Sequence, residues 1–97
     1  MLNNRQKAQL RGMANTLRPV GQIGKAGLSD NLLDFLDDAL ESTELIKLRV
    51  LKNCGLTVNE LAVEIDRCLH CQLVQSIGRT LIFYRRSKEK PEIRLVK

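Results

Sequence analysis

The sequence alternates between two hydrophobic periodicities, and this alternation constrains the fold more than any other feature. Helical spacing of apolar residues predicts helices over 4–17, 29–42 and 57–69. Alternating or short apolar runs predict strands over 20–23, 45–51, 71–77 and 80–85. The predicted order is therefore α-β-α-β-α-β-β. Helices interleaved with strands favour an α/β fold, here a two-layer sandwich with a mixed four-stranded sheet.

The second predicted helix is the best specified element. Ser29 is a suitable N-cap, and Leu28 can pack on Leu33 across the first turn. The predicted core face comprises Leu32, Leu33, Phe35, Leu36, Ala39 and Leu40. We interpret the opposite, carboxylate-bearing side as a solvated face, formed by Asp30, Asp34, Asp37, Asp38 and Glu41.

Local signals also fix parts of the other elements. Thr57 and Glu60 have the spacing of a capping box at the start of the third helix. Gly78 precedes Arg79 between the last two strands, which predicts a two-residue type II′ hairpin.

The first helix has an apolar stripe of Leu10, Met13, Ala14 and Leu17. We expect one domain over 1–97 with a basic C-terminal tail over about 86–97, in which Ile93 and Leu95 could add a marginal edge strand.

The segment Gly24-Lys25-Ala26-Gly27 connects a predicted strand to the second helix. Two glycines three residues apart let the backbone turn sharply and approach a ligand closely. The first N–H groups of the following helix have no partner inside it, and the helix dipole favours an anion there. Lys25 adds a positive charge. The segment is either a plain strand-to-helix turn or a phosphate-binding loop, and spacing alone does not decide between them.

The charge distribution favours a polyanionic partner. The net charge is +5, but residues 30–44 contain six of the eleven acidic residues. The remaining sequence therefore has sixteen basic residues against five acidic ones. The basic side chains predicted to be exposed on the strands and at their ends form either a solvated face or a surface that follows a polyanion such as a nucleic-acid backbone. We expect the latter for some of Lys47, Arg49, Arg79, Arg85 and Arg86.

Three separated motifs resemble one family. They are Gly24-Lys25-Ala26-Gly27 followed by Leu28-Ser29, then Glu44-Leu45-Ile46-Lys47, then Ile77-Gly78-Arg79-Thr80-Leu81 with Tyr84-Arg85. In this order they resemble the YhbY-type RNA-binding proteins, the stand-alone bacterial form of the CRM domain (chloroplast RNA splicing and ribosome maturation). The resemblance extends over roughly residues 10–95.

The resemblance implies a fold similar to the C-terminal domain of translation initiation factor three. It also implies that Gly24, Lys25, Ala26 and Gly27 act like the KH-domain loop that clamps an RNA backbone. The implied function is non-enzymatic RNA binding in ribosome assembly, with large-subunit ribosomal RNA or pre-ribosomal particles as partners. A general nucleic-acid-binding protein and a protein–protein adaptor that uses the acidic helix remain as alternatives.

Other chemistries find little support in the sequence. Cys54, Cys68, Cys71 and His70 lack the spacing of zinc ligands, so we expect packing roles for the cysteines, no metal and no cofactor. One histidine and no paired nucleophile predict no catalytic residues. No apolar run is long enough to span a bilayer and no signal segment is present, so we expect a cytoplasmic monomer without membrane contact.

Overall fold

The predicted element order is confirmed. The computed structural model describes residues 2–97. Three helices and four strands follow one another along the chain. They are α1 (Asn4–Ala14), β1 (Gly21–Ile23), α2 (Asp30–Thr43), β2 (Leu45–Val50), α3 (Val58–Leu69), β3 (Gln72–Ile77) and β4 (Thr80–Tyr84). Among these described residues, no helix combines the length and hydropathy needed to cross a membrane.

The four strands form one mixed sheet in the order β1-β2-β4-β3. β1 runs parallel to β2, and β4 lies antiparallel to both β2 and β3. A bulge in β3 shifts the register between Leu73 and Gln75. Gly78 closes the β3–β4 hairpin with a φ of +56°, the left-handed conformation that its predicted turn position requires.

Helices lie on both faces of this sheet. On one face, α2 and α3 pack over a core that includes Ile46, Leu48 and Phe83, all without exposed surface. On the other, α1 packs through Leu10 and Ala14. The sheet residues beneath α1 are Leu45, Val74, Ile82 and Tyr84. The mixed α/β arrangement is as predicted, and the structure adds that α1 covers part of the second face.

Side-chain caps begin each helix. Thr57 accepts from the Glu60 N–H while the Glu60 carboxylate accepts from the Thr57 N–H, so the predicted capping box is confirmed. Ser29 caps α2 by accepting from the N–H of Leu32 at 3.1 Å. The first helix ends at Ala14, three residues before the predicted end. Its last turn would have contained Asn15 and Thr16, which are weak helix formers.

Two residues assigned to core stripes are largely exposed, and those assignments are wrong. Phe35 has 49% of its surface exposed and Met13 has 41%. The core side of α2 is centred on Leu36 and Leu40, which leaves Phe35 at the flank of the helix. There its ring lies beside the edge strand, since a Cβ built on Gly21 would be 3.7 Å from a ring carbon.

The basic C-terminal segment forms no strand, contrary to the marginal edge strand considered for Ile93 and Leu95. Glu44, which is only 1% exposed, holds the segment through both carboxylate oxygens. These accept from the N–H groups of Ser87, Glu92 and Ile93 at 2.8–2.9 Å. Ile93 and Leu95 then pack beside α1.

Glu41 supports the same attachment, which corrects its assignment to a merely solvated face. Its carboxylate accepts from the Ser87 hydroxyl at 2.6 Å and from the N–H groups of Lys88 and Glu89. These hydrogen bonds, with that to the Ser87 side chain the strongest, lower the pKa of Glu41 below its usual value. At the end of the segment, Gln9 both donates to the Arg94 carbonyl and accepts from the Val96 N–H.

Candidate nucleic-acid interface

The segment 24–27 is a tight turn with separate structural reasons for each glycine. The Gly27 N–H donates to the Gly24 carbonyl at 3.0 Å, and Gly27 has a φ of +67°. A side chain there would be strained although the surrounding space is open. At Gly24 a Cβ would lie 3.3 Å from Leu51 Cδ1 and 3.4 Å from Asn53 Oδ1. The plain-turn interpretation therefore accounts for both glycines without a ligand.

The same turn nevertheless presents free hydrogen-bond donors. Lys25 and Ala26 are exposed. Within residues 2–97, the backbone N–H groups of these two residues donate to no other protein group. At the start of α2, Ser29 accepts from the N–H groups of Leu32 and Leu33, and the amides of Asp30 and Asn31 before them donate to no other protein group within residues 2–97. Unpaired amides beside a lysine suit a phosphate oxygen, whereas Asp30 in the first turn opposes one.

Two further basic residues lie next to this turn. The Leu51 N–H donates to the Ile23 carbonyl at 2.8 Å, which places the turn 52–55 beside Gly24. The Val50 N–H donates to the Arg79 carbonyl at 2.7 Å, and an Arg79 guanidinium nitrogen lies 3.4 Å from the Leu51 carbonyl. We call this edge of the sheet the loop end; it comprises the turns 24–27 and 52–55 and the hairpin 78–79.

The loop end therefore combines three exposed cations, Lys25, Lys52 and Arg79. Sequence reasoning did not include Lys52 among the candidate residues. Its position follows from the parallel pairing of β1 and β2, because the carboxyl ends of parallel strands meet at one edge of a sheet. The sequence does not show this pairing, so it contains no direct signal for Lys52.

The sheet continues this surface on the face that carries α1. Gln22, Arg49, Thr80 and Ile77 are register partners across all four strands, so their side chains form one row. Lys47 lies two residues before Arg49 and on the same face. Arg49 is exposed and Lys47 is half-buried. The row lies beyond the part of the sheet that α1 covers, next to the loop end.

Arg85 and Arg86 lie at the opposite end of the sheet. They follow Tyr84, which pairs with Leu45, whereas Thr80 pairs with Arg49 four residues farther along β2. At about 3.3 Å per residue, this places Tyr84 roughly 13 Å from the loop-end row, and the two arginines lie beyond Tyr84. The structure thus brings Gly24–Gly27, Lys47, Arg49 and Arg79 to one region but leaves the last two arginines outside it.

The Arg85 guanidinium is engaged inside the fold. Its side chain is 15% exposed and forms a 2.6 Å ion pair with Asp37. It also donates to the main-chain carbonyls of Asp37 at 3.0 Å and Leu69 at 2.9 Å. Arg85 consequently joins α2, the end of α3 and β4. Arg86, in contrast, is exposed and close enough to Glu44 to help lower the pKa of that carboxyl.

The cysteines pack against the core as expected. Cys71 is 2% exposed, and its thiol lies 3.8 Å from the Ile65 carbonyl. Burial raises the pKa of Cys71 to about 12, which keeps the thiol protonated near neutral pH. Cys54 and Cys68 are half-buried beside the same core. In the part of the chain that the structure describes, no three His, Cys, Asp or Glu side chains converge as metal ligands.

One domain-family model and two named proteins match most or nearly all of the chain. Residues 2–85 match the model of the CRS1/YhbY (CRM) domain. The chain is 43% identical to the probable RNA-binding protein YqeI of Bacillus subtilis over 95 residues, covering 98% of this chain and 99% of the relative. It is 36% identical over 88 residues to an RNA-binding protein of Haemophilus influenzae, covering 91% and 89% of the two chains.

A solved structure has the same fold. It is the solution structure of a hypothetical protein from Staphylococcus aureus with a proposed RNA-binding role. The two superpose with a TM-score of 0.81 at 43% identity, over 99% of this chain and 100% of that one. The fold is therefore that of an experimentally determined relative.

Proposed function

The chain belongs to the CRS1/YhbY (CRM) domain family, and we propose from this membership that it binds RNA through the loop end. The observation that carries the proposal is that the turns bearing Lys25 and Lys52 and the hairpin bearing Arg79 lie at one edge of the sheet, beside the unpaired amides of the turn 24–27. Relatives that match nearly the whole chain are named RNA-binding proteins, which supplies the ligand class. The family and these relatives are described by binding rather than by catalysis.

In this proposal the turn 24–27 holds one backbone phosphate. The N–H groups of Lys25 and Ala26 donate to its oxygens, and the Lys25 ammonium neutralises its charge. Lys52 and Arg79 approach the neighbouring phosphates from the adjoining turn and hairpin. Asp30 disfavours a phosphate placed on the axis of α2, so the turn itself rather than the helix dipole provides the main attraction.

The row of sheet residues extends the contact. Arg49 and Lys47 add positive charge, while Gln22 and Thr80 offer an amide and a hydroxyl on either side of Arg49. An amide and a hydroxyl can each bond to a base edge or a 2′-hydroxyl. This surface therefore suits a backbone that passes from the loop onto the uncovered part of the sheet.

Base stacking contributes little to this mode of binding. Phe83 and Tyr84 are buried in the two core clusters, as expected for packing residues. The third aromatic residue, Phe35, is exposed but belongs to the acidic helix. RNA-binding sheets that read bases usually present two or three aromatic rings. We therefore propose recognition of the phosphate backbone and of RNA shape in preference to sequence.

We further propose that the RNA is ribosomal and that the protein assists assembly of the large subunit, as its family resemblance implies. It would act by binding alone, as a cytoplasmic monomer without a cofactor. Sedimentation of cell extracts through sucrose gradients at low and high salt tests this role. Comigration with large-subunit precursors supports it, whereas comigration with DNA favours a general nucleic-acid-binding protein. RNA-independent association with one protein, without comigration with ribosomal particles, would favour an adaptor.

The loop-end site itself is tested with the Lys25→Ala variant. Each phosphate neutralised by a lysine releases counterions, so the variant should bind RNA more weakly and with a smaller salt dependence. For single-stranded RNA, the slope of log K against log salt should decrease by about 0.7. Lys97→Ala is a matched control, since Lys97 is exposed at the far end of the chain. Equal affinities and slopes for the two variants would contradict the assignment.

A further inference from the structure

The fold separates the charges of this protein onto two sides. Helices α2 and α3 lie together on one face of the sheet. Between them they contain eight carboxylates and a single basic residue, Arg67. Their net charge is −7, so the remainder of the +5 chain carries +12. The acidic layer faces away from the side of the sheet on which Arg49 and Lys47 lie.

An apolar groove opens in this acidic layer, and the RNA-binding proposal does not use it. The groove has a volume of about 690 Å³, within the range of ligand-binding clefts. Val63 is 66% exposed and Leu56 is 38% exposed, although both are aliphatic. The groove is lined by Leu28, Leu56, Asn59, Glu60, Val63 and Glu64.

We propose that this groove binds a basic amphipathic segment of a partner protein. Exposed aliphatic side chains on the floor favour apolar side chains of the ligand, which gain free energy by leaving water. The lining carries Glu60 and Glu64 within a layer of net negative charge, in which Arg67, paired with Glu64 at 2.7 Å, is the single cation. Lysines or arginines on the opposite side of the bound segment complement that charge. The molecule then holds RNA on its basic side and a basic protein on its acidic side.

Charge is also what distinguishes this ligand from RNA itself. The groove begins at Leu28, directly after the turn 24–27, so an RNA strand held by the turn could in principle enter it. An entering strand would bring its phosphates toward Glu60 and Glu64. Like charges across an interface disfavour the wrong partner. The groove is therefore assigned to a cationic peptide, and binding of RNA there is the competing outcome.

A fluorescein-labelled peptide tests the assignment in the absence of RNA. It has about 14 residues, roughly four helical turns, with leucines along one helical stripe and lysines elsewhere. Fluorescence anisotropy should show binding to the full chain, and a glutamate-for-lysine analogue should not bind. Val63→Lys should weaken peptide binding by about tenfold because it removes an apolar contact and adds a like charge. Val96→Lys, at an exposed valine outside the groove, should leave the affinity unchanged.

Equal peptide affinity of the wild type and Val63→Lys would overturn the proposal. So would a Val63→Ser variant that loses affinity for a short uridine oligonucleotide, since the groove would then belong to RNA. Retention of RNA binding by Val63→Ser, with loss of peptide binding, supports a separate site. The 66% exposure of Val63 means that neither substitution removes a core contact. The test is independent of the loop-end variants, which probe RNA binding alone.

Discussion

Glu44→Gln should destabilise the protein strongly although it changes only one atom of the side chain. The carboxylate of Glu44 is 1% exposed and accepts three backbone N–H groups. Hydrogen bonds to a charged group contribute about 1.5–3 kcal/mol each, and neutral ones about 1 kcal/mol. Glutamine keeps one carbonyl oxygen, which can still accept from the N–H groups of Glu92 and Ile93. The second carboxylate oxygen is replaced by an NH₂ group, which cannot accept from the Ser87 N–H. The expected loss is about 3 kcal/mol, part of a total of about 5–15 kcal/mol.

Urea unfolding at neutral pH measures this loss. With a slope of about 1–3 kcal/mol per molar urea, the midpoint should fall by about 1–3 M. Glu89→Gln is the matched control, because it removes the same charge from an exposed residue of the same segment. We expect that control to change the free energy of unfolding by less than about 0.5 kcal/mol. Equal midpoints for the two variants would refute the role assigned to Glu44.

The loss of stability caused by Glu44→Gln should also depend on pH, and it should become smaller in acid. Burial acts to raise the pKa of Glu44, but the N–H groups of Ile93, Ser87 and Glu92 together outweigh it and lower the pKa below the usual 4.5. A lowered pKa means that the unfolded chain binds the proton more readily. The stabilisation by Glu44 is therefore complete above about pH 4.5 and is lost as the pH falls through the lower folded-state pKa. A difference between wild type and Glu44→Gln that persists unchanged in acid would contradict this account.

Substitutions at three other places test separate parts of the structure. Gly27→Ala should cost about 1 kcal/mol in thermal or urea unfolding because of its positive φ, and Gly27→Asn should cost less since asparagine tolerates that conformation; equal costs would refute the strain argument. Arg85→Ala should destabilise the protein by about 2–3 kcal/mol, because it removes three hydrogen bonds, one of them the ion pair with Asp37. The RNA affinity of the folded variant should change little. Weaker RNA binding without loss of stability would instead make Arg85 an RNA contact. Charge reversal at Asp34 and Asp38 should preserve or raise RNA affinity in filter binding, and a loss in the folded variant would contradict an acidic side turned away from RNA.

The elements that could be predicted from sequence are those specified by nearby residues. The caps at Ser29 and Thr57 and the hairpin at Gly78 each depend on residues at most three positions apart, and all three are confirmed. The exposure of Phe35 could not be deduced in the same way. Helical periodicity shows which side chains share a broad face, but the tilt of the helix on the sheet decides which ones lie at its margin.

The contacts that were missed join residues far apart in the chain. Glu44 binds Ile93 across 49 positions, and Arg85 binds Asp37 across 48. In the sequence, Glu44 belongs to an acidic run and Arg85 to a basic one, so each suggests a solvated charge. Their partners become apparent only when the end of α2 and the end of β4 lie together. Lys52 was missed for a related reason, because its place beside Gly24 depends on the parallel pairing of β1 with β2.

The location of RNA binding is tested most directly by two variants with equal charge loss. One replaces Lys25, Lys52 and Arg79 with serine at the loop end; the other replaces Lys88, Lys90 and Lys97, which are exposed elsewhere. Lys88 is bonded through its N–H to Glu41, about 18 Å along α2 from the Ser29 cap. RNA affinity measured over a range of salt should decrease by about tenfold or more for the loop-end variant, with the salt slope reduced by about 2. The second variant should bind nearly as the wild type does; equal losses from both would show that net charge, and not the loop end, determines binding.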